Sequence, residues 1–286
     1  MISRAILVTG ALGNLGAATA NALLATGATV RAADLDPAAI AERLRGAEAV
    51  ELDFLRPATF QPALVGCRAL FLLRPPPIAR VGPTLNRFID FAARAGIEHV
   101  VFSSVQGADT NRLVPHHRVE RYLVASGLPW TILRPGFFAQ NLTGPYRDDI
   151  RLDRRLYVPA GDGRVAFLDV TDLGEIAARI FVDPAPHAAK GYDLTGPTAV
   201  TFDEVAAMLT AALQLPIRYE PATVTGYLLH LRRRRLPPAQ ILVQTILHTG
   251  LRRGDAATVI PIVEQLLGRP ATPLNAFITR NADSWR

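Results

Sequence analysis

Residues 6–16 read Ile6-Leu7-Val8-Thr9-Gly10-Ala11-Leu12-Gly13-Asn14-Leu15-Gly16, and this stretch decides the fold. It begins as a short aliphatic strand, passes through a glycine-rich turn and continues as an alanine-rich helix to Leu24. The spacing G-x-x-G-x-x-G allows a tight turn and a close approach to a pyrophosphate, which the N–H groups and positive dipole end of the helix then hold. A glycine-rich turn without a ligand is the alternative, but its place after the first strand, ahead of a second strand that ends in an acid, favours binding. The sequence therefore predicts that a dinucleotide is bound by Thr9, Gly10, Leu12, Gly13, Asn14, Leu15 and Gly16.

The composition is that of an ordinary globular protein. The chain has 286 residues, of which 49% are hydrophobic and 20% charged, enough for one large α/β domain or a nucleotide domain with a small lobe. Cys67 is the only cysteine, which excludes an internal disulfide and a thiolate metal cluster, and we predict no metal site. No apolar run reaches the length of a membrane span, and the chain starts directly in a strand. We therefore expect a cytoplasmic protein without a membrane partner.

The basic charge does not by itself indicate a nucleic-acid partner. The formal net charge is +6, and Lys190 is the only lysine. The run Arg232-Arg233-Arg234-Arg235 precedes Pro237-Pro238. Four consecutive residues of a helix point in all directions, so they form no single basic stripe. A solvated helix end is favoured over nucleic-acid binding.

Strand and helix patterns alternate over the first two thirds of the chain. This alternation predicts parallel strands with right-handed crossovers and helices on both faces, which is a doubly wound α/β sheet of Rossmann type. Such a sheet binds its ligand at the carboxyl ends of the strands. We predict a nucleotide-binding core over 1–150, and over 151–286 a mixed region that completes the sheet and forms a small, mostly helical lobe. Strands are predicted at 4–9, 28–34, 48–52, 68–73, 98–103 and 129–134, and helices at 14–26, 38–45, 57–65, 83–95 and 115–126.

The last third changes character. Residues 167–170 are predicted to form a further strand, followed by a helix that Asp172 starts, with Glu175 completing a capping box. Thr201 and Glu204 repeat the same device ahead of a second helix. From 225 to 267 the pattern is helical and interrupted by prolines and glycines, which is typical of a small lobe.

Asp34 is the predicted selector of the cofactor. It closes the second strand, where a carboxylate can accept hydrogen bonds from both ribose hydroxyls and repels a 2′-phosphate. This favours NAD(H) over NADP(H). Arg31 is the opposing signal, since a guanidinium could receive the phosphate, but on a strand its side chain points away from that of Asp34.

Two further strand ends are candidates for cofactor contacts. Asp53 and Phe54 follow the third strand and are placed to contact an adenine amine and ring edge, although Asp53 could equally cap the helix that begins near Pro57. Leu73 and Arg74 follow the fourth strand and could line the path of the dinucleotide.

The sequence has no Tyr-x-x-x-Lys pair, so the catalytic residues must be sought among other side chains. Short-chain dehydrogenases supply a proton donor from a Tyr-x-x-x-Lys pair, and here Pro186 stands four residues before the only lysine. The residues present instead are Ser103, Ser104 and Gln106 after the fifth strand, and His116 on the next helix. His116 shares a helix face with Val119 and Leu123, which should press on the sheet, while His117 looks outward. We expect His116, titrating near pH 6.5, to donate a proton or to hydrogen-bond the ribose. The alternative is that His116 has a purely structural role. The two serines could orient a substrate oxygen, or they could merely form turns.

With these residues in place, the chain resembles the NmrA-like family of atypical short-chain dehydrogenases over nearly its whole length. The resemblance lies in the glycine-rich turn, in 99–104, in 120–141 and in the tail segments 251–254 and 267–270; the most specific part is Ser126-Gly127-Leu128-Pro129-Trp130-Thr131-Ile132-Leu133-Arg134-Pro135-Gly136-Phe137-Phe138-Ala139-Gln140-Asn141.

The family contains NAD(P)H-dependent reductases of quinones, dyes and phenylpropanoid-like substrates, together with redox sensors that bind the dinucleotide without turnover. His116 falls where some members carry a lysine and others a histidine. Asp34-Leu35 departs from the arginine that many members carry for NADPH. By the family's pattern the substrate lies between the nicotinamide and the lobe, and one of the two adjacent phenylalanines is expected to be core. The residues implied are Phe137, Phe138, Asn141, Tyr146 and Tyr227, with His230 a further candidate.

Two function classes follow. The first is an oxidoreductase that passes hydride from NAD(P)H to an electron-poor small molecule, such as a quinone- or enone-like acceptor, which needs less help from a placed acid. The second is a non-catalytic sensor in which the dinucleotide biases a conformation that a protein partner reads. A DNA-binding regulator has only the arginine run in its favour.

Overall fold

The computed structural model describes residues 4–286, without the side chain of residue 239. The chain divides into two compact units. The first unit contains the chain up to Pro135, together with Val170–Leu194 and Glu264–Arg269. The second unit contains Gly136–Asp169, Thr195–Val263 and Pro270–Arg286. The predicted division of the chain at residue 150 stays a prediction.

Eleven strands are present within residues 4–286. They are β1 (Ala5–Thr9), β2 (Val30–Asp34), β3 (Glu48–Glu51), β4 (Cys67–Leu73), β5 (His99–Ser103), β6 (Trp130–Pro135), β7 (Arg155–Leu156), β8 (Val165–Ala166), β9 (Lys190–Leu194), β10 (Ala199–Val200) and β11 (Arg218–Tyr219).

Twelve α-helices accompany them in the same described range. They are α1 (Asn14–Ala25), α2 (Pro37–Arg43), α3 (Phe60–Leu64), α4 (Arg87–Arg94), α5 (Pro115–Ala125), α6 (Arg147–Arg151), α7 (Val170–Val182), α8 (Phe202–Leu213), α9 (Val224–Arg233), α10 (Pro238–Leu251), α11 (Ile262–Leu267) and α12 (Leu274–Arg280). A 3₁₀ turn at Pro57–Thr59 leads into α3, and a π turn at Gly82–Asn86 leads into α4.

A seven-stranded parallel sheet organises the first unit. Its order is β3-β2-β1-β4-β5-β6-β9. The strands β1 to β3 are added toward one edge of the sheet and the later strands toward the other edge, so the strand order switches between the parallel neighbours β1 and β4. All residues of β1 and β5 are buried, as expected for strands covered by helices on both faces. The predicted α/β doubly wound class is confirmed, and the six strands predicted along the first half of the chain are present within a few residues of their expected ends.

The strand predicted at 167–170 is wrong. Only Val165 and Ala166 form a strand there, Leu168 makes one isolated bridge to Phe138, and α7 already begins at Val170. An apolar run of four residues does not distinguish a strand from an extended connection that is buried by packing. The true seventh strand, β9, has only Leu194 fully buried and so carries no hydrophobic run that the sequence could reveal.

Asp172 does not start a helix, because it lies inside the first turn of α7. Its side chain is 1% exposed and accepts a hydrogen bond from Arg269, with an N–O distance of 2.8 Å. Glu175 binds the same guanidinium at 2.7 Å. Leaving a buried carboxylate without a cation costs more free energy than leaving a helix end without a side-chain cap. The distant residue Arg269 therefore determines the role of both acids.

The capping box at Thr201 is confirmed. The N–H of Glu204 donates to Thr201 Oγ1 at 3.2 Å, and the N–H of Thr201 donates to Glu204 Oε2 at 2.7 Å. Both bonds form at the start of α8, where backbone donors lack partners within the helix.

The second unit has its own core. Aromatic rings meet edge to face at Phe167 and Phe202 (5.9 Å between centroids) and at Tyr146 and Phe202 (6.3 Å). Two short strand pairs, β8 with β10 and β7 with β11, border this core. Among the described residues, no helix is both long and apolar enough to cross a membrane.

Close packing of α1 on α7 makes a testable demand on Gly174. A Cβ at this position would lie 2.7 Å from the carbonyl carbon of Ala18, which is backbone and cannot turn aside. We expect Gly174→Val to lower the free energy of unfolding by about 1–3 kcal/mol, measured by urea denaturation. Gly82→Ala is the control, since a Cβ there meets nothing within 4 Å. Equal stability of G174V and the wild type would contradict the close approach.

Candidate functional site

The glycine-rich turn has the geometry that its spacing predicts. Gly10 adopts a positive φ of 65°, and its carbonyl oxygen accepts the N–H of Gly13 at 3.0 Å. A Cβ on Gly16 would lie 2.1 Å from that same oxygen, so only glycine fits there. Gly13 precedes α1 and has no side chain with which to cap it, while Asn14 is exposed. The first turn of α1 therefore presents its backbone donors as an anion site, and the chain fits a bound pyrophosphate here.

Asp34 is tied to this turn. Its Oδ2 accepts the N–H of Leu12 at 2.9 Å, and its Oδ1 accepts the N–H of Leu35 at 2.8 Å. The carboxylate is therefore held at the rim of the glycine-rich turn. Each oxygen keeps further acceptor capacity, as a carboxylate has about four lone-pair directions.

Arg31 is engaged elsewhere, whereas Arg43 lies next to the turn. The guanidinium of Arg31 forms a two-pronged pair with Glu48, at 2.8 Å and 3.0 Å, and bonds the carbonyl of Val65. Arg43 donates from α2 to the carbonyl of Leu12. Arg43 thus contacts the same turn residue as Asp34, through the Leu12 carbonyl, and sequence reasoning missed it.

Thr9 and Leu73 join two strands below the turn. The hydroxyl of Thr9 donates to the carbonyl of Phe71 at 3.2 Å and accepts the N–H of Leu73 at 2.8 Å. The side chain of Leu73 would lie 3.0 Å from a Cβ on Gly10. Thr9 is fully buried, so its side chain holds β1 against β4, and a direct cofactor contact from Thr9 stays a prediction.

Asp53 and Phe54 both have structural partners. Asp53 Oδ1 accepts the N–H of Leu55 at 2.8 Å, which closes a local turn instead of capping the 3₁₀ turn at Pro57. The ring of Phe54 is 5% exposed and packs edge to face on Phe88, 5.3 Å between centroids. This burial does not support a contact between the Phe54 ring and adenine.

His116 is paired with Arg74. Arg74 Nε donates to His116 Nε2 at 3.1 Å, and burial followed by the charge of Arg74 lowers the histidine pKa to about 3. Burial also lowers the pKa of Arg74, whose guanidinium bonds the carbonyl of Ile78 at 2.7 Å. The expectation that His116 titrates near pH 6.5 is therefore wrong. Because Nε2 accepts a hydrogen bond, a neutral ring would carry its proton on Nδ1.

His116 does lie on the buried side of α5, as the helix pattern predicts. Val119 and Leu123 on the same face are fully buried, and the His116 ring lies 6.3 Å from that of Phe102. His117 is half-buried, and its Nδ1 lies 2.7 Å from the carbonyl oxygen of Ala108. The expectation that His117 simply faces solvent is incomplete.

The two serines lie at the buried carboxyl end of β5. Ser104 donates to Glu120, and Glu120 receives a two-pronged contact from Arg134, with distances of 2.8 Å and 3.0 Å. Glu120 is only 4% exposed, so the buried ion pair of Glu120 and Arg134 holds α5 against β6. Ser103 is 5% exposed beside it. Gln106 contributes its N–H to the carbonyl of Pro135 at 3.0 Å.

Two of the three catalytic candidates, His116 and Ser104, therefore belong to separate networks. His116 belongs with Arg74, and Ser104 belongs with Glu120 and Arg134. Lys190 is exposed at the amino end of β9, whereas the candidate residues follow the carboxyl ends of the strands. Their catalytic roles stay predictions.

Phe137 and Phe138 follow β6 and enter the second unit. The Phe137 ring lies 5.5 Å from Phe167 and 6.1 Å from His248, and Phe138 pairs with Leu168. Both are half-buried, as is Asn141, whose carbonyl oxygen accepts the N–H of Tyr146.

Tyr146 and Tyr227 meet on a histidine that the sequence did not suggest. Tyr146 is hydrogen-bonded to His248 Nε2, and the Tyr227 hydroxyl lies 3.4 Å from His248 Nδ1. Burial lowers the pKa of His248 to about 4 and raises the pKa of both tyrosines. His248 Nδ1 lies 2.5 Å from the carbonyl oxygen of Gln244, so the neutral ring donates there and accepts the Tyr146 hydroxyl at Nε2.

A cleft of about 610 Å³ opens beside this cluster. Asp149 lies in its wall with 3% exposure, 3.1 Å from His230 Nε2 and paired with Arg234. The cleft is thus lined by aromatic rings and by the carboxylate of Asp149, whose charge is balanced by Arg234. Its other lining residues are Pro145, Tyr146, Asp148, Leu152, Tyr227, Leu231, Leu236, Gln240 and Gln244.

Four residues were missed by sequence reasoning. Glu120 lies one helical turn beyond His116, so its place on the inner face of α5 could have been inferred. Arg43, Asp149 and His248 carry no motif, because their importance comes from partners distant in sequence.

The strand order and the glycine-rich turn define a dinucleotide-binding protein of Rossmann type. The chain belongs to the NmrA-like family, whose model matches residues 3–259.

Similar proteins cover nearly the whole chain. An NAD(P)H azoreductase from Xenophilus azovorans is 30% identical over 284 residues, 97% of this chain and 98% of that protein. A (4-alkanoyl-5-oxo-2,5-dihydrofuran-3-yl)methyl phosphate reductase from Streptomyces griseus is 32% identical over 289 residues, 98% and 99% of the two chains. The crystal structure of an NADPH-dependent quinone oxidoreductase from Escherichia coli, complexed with NADPH, superposes with a TM-score of 0.84 at 26% identity, covering 96% and 99%.

The low pKa of His116 predicts a specific pH dependence of stability. Below pH 6.5 the unfolded chain protonates this histidine while the folded protein does not until about pH 3, so stability falls as the pH drops through this window. Between pH 7 and pH 5 His116 should cost about 2 kcal/mol. We expect His116→Gln to reduce the loss of unfolding free energy over that range by this amount, measured by urea denaturation at each pH.

Arg118→Gln, an exposed change on the same helix, is the control and should leave the pH dependence of stability unchanged. An H116Q variant whose stability falls with pH as steeply as the wild type would show that His116 is not held neutral.

Proposed function

We propose that this chain is an NAD(P)H-dependent oxidoreductase of the atypical short-chain dehydrogenase type, which passes hydride to an electron-poor small molecule such as a quinone- or enone-like acceptor. The observation that carries the proposal is the glycine-rich turn, where Gly10, Gly13 and Gly16 leave the start of α1 open to a pyrophosphate. The azoreductase and quinone oxidoreductase relatives, similar over nearly the whole chain, support the same chemistry.

NAD(H) is the proposed preferred cofactor. The carboxylate of Asp34 is held at the turn by two backbone N–H groups, so it can accept ribose hydroxyls without first being ordered. Its negative charge disfavours a 2′-phosphate at the same place.

The residues near the predicted nicotinamide region favour an acceptor that needs little acid catalysis. When bound, the reduced nicotinamide supplies two electrons and one proton as a hydride ion. A quinone takes up the hydride and one further proton to become a hydroquinone, and water can deliver that proton. His116 is neutral at physiological pH, so its role is to hold Arg74 and to offer a hydrogen bond, not to serve as an imidazolium acid.

The aromatic cleft of the second unit is the proposed site for part of the acceptor. Tyr146 and Tyr227 line it with apolar ring surface and buried hydroxyls, beside Gln244. The Tyr146 hydroxyl is bonded to His248, whereas the Tyr227 hydroxyl has only long contacts, 3.4 Å to His248 and 3.5 Å to Gln244. Tyr227 is therefore the proposed donor to an acceptor carbonyl, and the rings supply aromatic surface.

The cofactor proposal is tested with Asp34→Asn. Removing the charge weakens the hold on the ribose and the repulsion of a 2′-phosphate, so the ratio of NADH to NADPH affinity should fall by about tenfold. Fluorescence titration of both dinucleotides measures it. Asp36→Asn is a matched control, because Asp36 only caps α2, accepting from Ala38 and Ala39, and should leave the ratio unchanged. A ratio equally unaffected in both variants contradicts the role of Asp34.

The acceptor proposal is tested with Tyr227→Phe. Loss of one hydroxyl should raise the KM for menadione by about three- to tenfold and leave dinucleotide affinity unchanged, since a hydrogen bond contributes about 0.5–1.5 kcal/mol. Oxidation of the reduced cofactor is followed at 340 nm. Tyr192→Phe, a hydroxyl that bonds His187 in the first unit, is the control. An unchanged KM in Y227F would remove the cleft from the acceptor site.

Wild-type turnover decides between the two function classes. Steady oxidation of the bound cofactor by menadione or a related acceptor supports the reductase. Tight dinucleotide binding without oxidation by a panel of quinones, azo dyes and enones would overturn it and favour a sensor that acts through a protein partner.

A further inference from the structure

Helix α10 carries its apolar side outward. Leu242, Val243, Ile246 and Leu247 are between 55% and 60% exposed, although they are among the most apolar residues of the helix. Thr245 and His248, on the opposite side, are 7% and 4% exposed. A surface helix of a globular protein normally has the reverse arrangement.

The inner contacts hold α10 in this orientation. His248 bonds Tyr146 and lies 3.4 Å from the Tyr227 hydroxyl, and Gln244 lines the cleft. Turning the apolar side inward would break these contacts and bury four aliphatic side chains in place of a hydrogen-bonded network. The exposed side is therefore part of the folded state.

Helix α9 shows the same feature. Val224, Leu228 and Leu229 are 37–49% exposed, while Tyr227 and Leu231 face inward with 2% and 5% exposure. The two helices contact each other and are joined by a short connection through Pro237. We call residues 224–251 the α9–α10 hairpin.

The hairpin lies in a strongly basic stretch. Residues 221–254 contain six arginines and no aspartate or glutamate. Arg234 is paired with Asp149 in the cleft wall. Arg232, Arg233 and Arg235 are exposed, and in the described part of the chain none of these three forms an ion pair. Free cations thus stand at one end of an exposed apolar surface.

This combination selects the partner. A second copy of the chain meeting the hairpin face to face would bring arginines against arginines, with no acid in 221–254 to balance them. A surface of anionic lipids offers phosphates for the arginines and acyl chains for the leucines, isoleucine and valines. We propose that the α9–α10 hairpin docks the protein on an anionic lipid surface.

Docking differs from spanning. The expectation of no membrane partner rested on the absence of a span-length apolar run, and no described helix provides one. Surface association needs only an outward apolar side and nearby cations. The inference is independent of the proposed reaction, because vesicle binding is measured without turnover.

The experiment is sedimentation of the wild-type protein with vesicles of phosphatidylglycerol and, separately, of phosphatidylcholine. We expect binding to the anionic vesicles, little binding to the neutral ones, and a marked loss of binding as salt is raised. Equal partition onto both lipids, or no partition onto either, overturns the proposal.

Two variants separate charge from apolar contact. R232Q/R233Q/R235Q should weaken binding to anionic vesicles on the order of a hundredfold, because each arginine near an anionic lipid surface contributes about fivefold to the affinity. L242Q/I246Q should weaken it at least about tenfold and remove any binding that persists at high salt.

Matched controls carry the same substitutions elsewhere on the surface. R45Q/R112Q/R121Q removes three exposed arginines and L55Q/L113Q two exposed leucines. Both should keep vesicle binding within about threefold of the wild type. Thermal melting and dinucleotide binding identify any variant that has lost its fold. A misfolded arginine variant is replaced by R232K/R233K/R235K, which should retain vesicle binding because the charge is kept. A misfolded apolar variant is replaced by L242A/I246A, which should lose vesicle binding.

Three further results would overturn the proposal. The first is a concentration-dependent dimer that L242Q/I246Q dissociates while vesicle binding persists. The second is binding to duplex DNA that outcompetes the vesicles. The third is a loss of menadione turnover in L242Q/I246Q without loss of vesicle binding, which would assign the apolar side to the acceptor.

Discussion

The close approach of residue 16 to the carbonyl oxygen of Gly10 is the contact on which the candidate site depends. A Cβ would lie 2.1 Å from that oxygen, so glycine alone allows α1 to begin directly above β1. This contact brings the backbone donors of α1 beside the turn. It also places the N–H of Leu12 where Asp34 can receive it, 2.9 Å away. The proposed phosphate site and the proposed ribose-binding role of Asp34 therefore depend on one packing constraint.

Pairing of buried charges determines what the remaining polar residues can do. Arg74 occupies the acceptor nitrogen of His116 and, together with burial, keeps the ring neutral. Glu120 is balanced by Arg134 and bonded by Ser104, and Asp172 is balanced by Arg269. Residue types that suggest acid–base chemistry in the sequence thus satisfy one another in the fold, as buried polar groups must. The reaction proposed here relies on the cofactor and on a reactive acceptor for this reason.

The second unit places polar groups inward and apolar groups outward in the same pair of helices. His248 and Tyr227 form a hydrogen-bonded cluster against the cleft, while the opposite sides of α9 and α10 expose leucine, isoleucine and valine. The first arrangement borders the cleft that we propose for part of the acceptor. The second exposes apolar side chains near Arg232, Arg233 and Arg235, which form no ion pair within residues 4–286, and it is the basis of the proposed attachment to anionic lipid.

The sequence by itself determined the strand–turn–helix of residues 6–16, the six strands in alternation with helices, the capping box of Thr201 and the family. These features are written in spacing and periodicity over a few neighbouring residues. Tertiary structure alone decided that α7 begins before Asp172, that β9 completes the sheet, that Arg43 contacts the turn at Leu12 and that His248 bonds Tyr146. It also set the pKa of His116. Each of these depends on a partner tens of residues away, and local pattern carries no information about such partners.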